Sequence, residues 1–196
     1  MRIAGKAAVN YVADLGRDQP QVSEKEYEDL RQVIYQPLEN YRVGRNEIVA
    51  GTVSPSYLLP IHGLQRLEKI MDEYVAGVAT YYTTNANMLG VAEEKLNMLK
   101  EDAEKMRAKD LHELLRAWEN YHRILTAEAH MKHIQFREES RYPGFYYRMD
   151  KNFVDEENWH CFVNSVYDKN SKQWNCFKRA HVDLVDKSKL FKPAAH

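Results

Sequence analysis

The feature that most constrains this chain is the regular spacing of its apolar residues between positions 63 and 139. Three successive stretches repeat them at intervals of three and four, which places them on one face of an α-helix. The break at Lys109-Asp110 is short, so the last two helices should be antiparallel neighbours. Asp110 and Glu113 form a capping box for the third helix, which should run to about Arg137. The predicted inward residues are Leu64, Leu67, Met71, Tyr74, Val75 and Val78; Leu89, Ala92, Leu96, Leu99, Ala103 and Met106; and Leu111, Leu114, Leu115, Trp118, His122, Leu125 and Ala129.

Two helical segments are predicted before this bundle. Residues 1–16 carry a narrow stripe of mainly small apolar side chains at helical spacing, and no capping residue precedes them, so we expect that upstream sequence is missing. Ser23 and Glu26 form a capping box that predicts a short helix ending near Pro37. The glycines and prolines between Glu39 and His62 indicate an extended connection.

The character of the chain changes after Glu139. Residues 141–148 (RYPGFYYR) are aromatic, basic and interrupted by Pro-Gly. A β-hairpin is predicted next, with 161–167 pairing 174–179 around 168–172. That register places Cys161 opposite Arg179 and Cys176 opposite Asn164, so both thiols should be reduced. The prediction is a mostly α fold, a helical bundle with a small C-terminal β-hairpin, in four segments: 1–16, 17–62, 63–139 and 140–196.

Several classes of function are disfavoured by the sequence. The eight glycines are never closer than seven positions, so neither a dinucleotide-binding fingerprint nor a P-loop is possible. The net charge of −1 gives no general attraction to nucleic acid. No apolar run approaches the roughly 20 residues that span a bilayer, and no signal peptide is recognisable, which favours the cytoplasm.

Two alternatives for the polar residues remain open. Glu119 and His122 have the E-x-x-H spacing of di-iron bundles, as do Glu157 and His160, but the other helices lack inward glutamates, so structural histidines are favoured over a metal-binding bundle. The basic residues of 137–148 are interleaved with acidic ones. That mixture is typical of a protein interface rather than of a nucleic-acid platform.

Three motifs carry a family resemblance. They are Arg137–Arg141 (REESR), Tyr147–Asp150 (YRMD) and Asp155–Trp159 (DEENW), and together they resemble the C-terminal domain of the fumarate reductase and succinate dehydrogenase flavoproteins. The segments LEKIMDEY, AEAHMKHIQFREESRYPGFYYRMD and ENWHCFVNSVYD resemble more narrowly the α subunits of adenylylsulfate reductases. The run RIAGKAA resembles the helix that closes the flavin domain just upstream in that family.

The resemblance implies a function for a longer protein. The family reduces adenylylsulfate to sulfite and AMP through FAD, with an iron–sulfur β subunit as partner, and its FAD-binding and catalytic residues lie mainly upstream. This chain alone is therefore expected to be inactive and to bind no FAD, with residues 1–16 a remnant of the upstream FAD domain. A stand-alone helical interaction module is the alternative. The residues predicted to seat the domain on its partners are Arg137, Arg141, Tyr142, Phe145, Tyr146, Arg148 and Trp159.

Overall fold

The computed structural model describes residues 2–16, 21–44, 58–141 and 146–181. The chain divides into two units, Met1–Gln36 and Pro37–His196, which are described separately. The predicted fold class is confirmed, because helices dominate and an antiparallel hairpin lies near the C-terminal end. The helices are α1 (Arg2–Leu15), α2 (Glu24–Gly44), α3 (Pro60–Tyr74), α4 (Ala86–Glu104), α5 (Leu111–Phe136) and α6 (Glu156–Trp159), and the strands are β1 (Thr83–Thr84), β2 (Tyr147–Arg148), β3 (Cys161–Asp168) and β4 (Gln173–Ala180).

The first unit contains α1 and the beginning of α2. The larger apolar side chains of α1, such as Ile3 and Val12, are exposed. The capping box before α2 is confirmed: the Glu26 N–H donates to Ser23 Oγ (3.2 Å) and the Ser23 N–H donates to Glu26 Oε2 (2.9 Å). These reciprocal bonds satisfy two donors that a helix N-terminus would otherwise leave unpaired.

Helix α2 continues through Pro37 to Gly44, so the predicted ending near Pro37 is wrong. The part beyond the proline is held by the bundle: the Ala108 N–H donates to Pro37 O (2.9 Å), and Asn40 Nδ2 donates to Glu104 O (3.3 Å). These tertiary bonds offset the intrahelical bond that proline cannot make. The predicted extended connection is therefore wrong for residues 39–44, and also for residues 60–62, which begin α3. Its residues 45–57 lie outside the described part.

Helices α3, α4 and α5 pack around one apolar cluster. The ion pairs Lys100–Glu128 (2.8 Å) and Lys132–Glu93 (2.6 Å) join α4 to α5 with the residue order reversed, which confirms the antiparallel arrangement. The side chain of Asp110 accepts from the Glu113 N–H (2.9 Å) and caps α5 as predicted. The cluster consists of Leu67, Ile70, Val75, Leu89, Ala92, Leu96, Leu99, Ile124, Ala127, Met131 and Ile134.

The buried face of α5 differs from the predicted one. Leu111 and Leu115, predicted inward, are 67% and 56% exposed, whereas Ala117, Ile124 and Met131 are buried. Both faces carry apolar residues at helical spacing, and periodicity alone cannot say which one the bundle uses. Val78 was also predicted inward and is exposed. Leu114 belongs to the predicted face and is buried as predicted. We call the rest of the predicted face the outer stripe of α5; it comprises Leu111, Leu115, Trp118, His122, Leu125 and Ala129.

Two small sheets complete the second unit. Strands β1 and β2 pair in parallel, which the sequence analysis did not predict. In the β3–β4 hairpin, Cys161 faces Ala180 and Cys176 faces Ser165, so the predicted register is wrong by one position. The reason is the turn: the Asp168 carboxylate accepts from the Asn170 N–H and from Ser171 Oγ, which fixes a four-residue loop. Both thiols are nevertheless free, as predicted.

Candidate interaction site

The candidate site begins where α5 ends. Arg137 occupies the C-cap position, and its N–H donates to His133 O (3.1 Å). The last carbonyls of a helix need donors from outside the helix. Arg148 supplies one, because its Nη1 donates to Ile134 O (3.0 Å). Its side chain is only 4% exposed, so this arginine closes the end of α5.

A fully buried carboxylate, that of Glu139, holds two arginines together. Its Oε1 accepts from Arg137 Nη1 (2.6 Å) and from Arg141 Nε (2.5 Å). Its Oε2 accepts from Arg141 Nη2 (3.1 Å) and from the Asp155 N–H (2.8 Å). Burial is the largest influence on this carboxyl and favours its neutral form, but these hydrogen bonds together outweigh burial and lower the pKa of Glu139. Glu139 is therefore ionised at neutral pH.

A second carboxylate pairs with Arg148. Asp150 accepts from Arg148 Nε (2.8 Å) and Nη2 (2.6 Å), a two-point contact that suits the planar guanidinium. These bonds lower the pKa of Asp150 to about 2. The Ala86 N–H, in the first turn of α4, also donates to Asp150 (3.3 Å). Asp150 thus ties the segment after α5 to the beginning of α4.

Trp159 forms the opposite wall of the site. Its ring meets Phe136 edge to face at a centroid distance of 5.7 Å, and Lys178 Nζ lies 3.7 Å from its ring centroid. Arg137 donates to Trp159 O (2.9 Å) and to Cys161 O (2.9 Å). Through these contacts the end of α5 is joined to the start of the hairpin.

An open groove of about 460 Å³ lies between the end of α5 and strand β3. Arg137, Arg141 and Trp159 line it, and so does Tyr146. The Tyr146 hydroxyl is buried and has no hydrogen-bond partner in the described part of the chain. Burial also raises the pKa of Tyr146, so the hydroxyl keeps its proton as an unused donor. A buried polar atom without a partner is uncommon in native proteins and points to a missing acceptor.

Imidazoles surround the same groove. Burial lowers the pKa of His133, so this imidazole is neutral at pH 7, and its Nε2 lies 2.9 Å from Ser165 Oγ. His160 pairs with Glu156 (2.7 Å) rather than with Glu157 of its E-x-x-H motif. Among the described residues, no group of three or more His, Cys, Asp and Glu could hold a metal ion.

The structure brings four of the seven predicted interface residues to one groove: Arg137, Arg141, Tyr146 and Trp159. Arg148 lies buried beneath the same segment. Tyr142 and Phe145 are outside the described residues. Glu139, on which the arginines converge, was not among the predicted site residues, although two acidic residues between two arginines in REESR were a signal for it.

Comparisons with known proteins give one consistent result. No family model matches the chain. It is 45% identical over 184 residues to the adenylylsulfate reductase α subunit of Megalodesulfovibrio gigas. It superposes on the adenylylsulfate reductase of Archaeoglobus fulgidus with a TM-score of 0.88 and 46% identity, and both matches cover 94% of this chain. The resemblance stated from the sequence is therefore confirmed.

The matched relatives are much longer than this chain. It spans 28% of the M. gigas subunit and 29% of the A. fulgidus chain. Sdh1 of Mycobacterium smegmatis, solved in complex with UQ1, matches 91% of the chain with a TM-score of 0.66 at 20% identity, which shows a shared fold. Within the described residues, no helix is long and apolar enough to cross a membrane.

Proposed function

We propose that this chain is the C-terminal helical domain of a longer flavin-dependent oxidoreductase of the adenylylsulfate reductase type. The observation that carries the proposal is the 45% identity over 94% of the chain to a subunit of which the chain spans only 28%. The whole protein would reduce adenylylsulfate to sulfite and AMP through FAD in the cytoplasm, with electrons from an iron–sulfur β subunit.

The residues of this chain do not fit FAD. The phosphates of a dinucleotide need closely spaced glycines at a helix N-terminus, and here no two glycines are closer than seven positions. The flavin therefore belongs to the upstream part of the longer polypeptide. For this chain we propose a structural role, in which the domain docks on the flavin part and on the iron–sulfur subunit.

The proposed docking residues are those that line or support the groove. Arg137 and Arg141 are positioned by the buried carboxylate of Glu139, and Arg148 by the partly exposed carboxylate of Asp150, so they present a rigid wall rather than mobile charges. The Tyr146 hydroxyl is a buried donor that still needs an acceptor. A carboxylate or carbonyl from the docked partner would satisfy it. The proposed set is Arg137, Arg141, Tyr142, Phe145, Tyr146, Arg148 and Trp159.

The size and colour of the native protein test the proposal. The polypeptide that carries this sequence should be isolated from its source, and its intact mass and visible absorbance measured. We expect a mass several times the 23.1 kDa of this chain, together with flavin absorbance. A colourless polypeptide of 23.1 kDa would instead identify a stand-alone helical interaction module.

The docking role can be tested through the Tyr146 hydroxyl. Tyr146→Phe should leave the stability of the 196-residue chain unchanged or slightly raised, because the hydroxyl makes no bond within the described part. In the longer flavoprotein the same change should lower the temperature at which FAD is released. Tyr81→Phe is the matched control, since Tyr81 is 85% exposed. Equal release temperatures for both variants and the wild type would exclude the groove as a docking site.

A further inference from the structure

We draw no further inference here: the strongest candidate, the exposed outward face of the β3–β4 hairpin that carries Phe162, Val166 and Phe177, supports no proposal because nothing in the described residues shows what covers it.

Discussion

The substitution Glu139→Gln tests the network at the end of α5. Glutamine keeps the shape of the side chain, but it removes the negative charge on which Arg137 and Arg141 converge. It also replaces one acceptor oxygen with an N–H₂ group, which faces the donors of those guanidiniums. Two partly buried cations would then share a site without this central counter-charge, and Arg141 would keep only the exposed carboxylate of Glu156, 3.2 Å away.

The expected loss of stability follows from burial. Breaking a buried ion pair by removing one partner costs roughly 3–5 kcal/mol. Arg137 and Arg141 retain 14% and 12% side-chain exposure, so water relieves part of the cost. We therefore expect a loss near the lower limit, about 3 kcal/mol. That is a large share of the roughly 5–15 kcal/mol that stabilises an ordinary domain.

Urea unfolding followed by far-ultraviolet circular dichroism provides the measurement. Glu138→Gln is the matched control, because Glu138 is the neighbouring residue, its side chain is 64% exposed, and its ion pair with Lys151 is long, at 4.0 Å. The control should change the free energy of unfolding by no more than about 0.5 kcal/mol. A loss below about 1 kcal/mol for Glu139→Gln would refute the reasoning.

The pH dependence gives an independent check. Because the folded-state pKa of Glu139 is lowered, its contribution to stability is complete above the ordinary glutamate pKa of about 4.3. The contribution is lost as the pH falls through the lowered value. The gap in stability between wild type and Glu139→Gln should therefore narrow on acidification. A gap that stays constant would show that lost packing, rather than lost charge, destabilises the variant.

Three further predictions follow from described contacts. Asp150→Asn should lower the free energy of unfolding by on the order of 2 kcal/mol at neutral pH. Because the pKa of Asp150 is lowered to about 2, the difference from wild type should shrink as the pH falls from about 4 towards 2, which acid titrations of stability would measure. Asp110→Ala removes the cap of α5 and should cost about 1 kcal/mol in urea unfolding, and Asp110→Asn, which keeps an acceptor oxygen, should recover most of it. Cys161 and Cys176 should titrate as two free thiols after unfolding without reductant, and a titre of zero would contradict their assignment as free.

Local sequence signals predicted the helices well, because their causes are local. The capping pairs at Ser23 and Asp110 were both confirmed, since each consists of contacts within four residues. The prediction of the inward face of α5 was wrong because the helix carries two apolar stripes. Only the positions of α3 and α4 decide between those stripes, and that information is not local.

Long-range contacts account for the remaining errors. Helix α2 continues past Pro37 because bonds from residues 104–108 hold it, and no local pattern reports them. The aromatic and basic residues of the candidate site were recognised as a group from composition. Their convergence on Glu139 could not be recognised, because it depends on the path of the chain between α5 and the hairpin.

The parallel pairing of β1 with β2 has a consequence for the order of folding. It joins residues that are 64 positions apart, Thr83 to Tyr147 and Thr84 to Arg148. Closing so long a loop in a disordered chain costs conformational entropy before any contact forms, and the few contacts between two short strands offset little of that cost. Once α4 and α5 have docked antiparallel, however, their ends bring β1 and β2 within reach. We therefore expect the pairing to form late on the folding pathway, after the helices that bring the two strands together are in place.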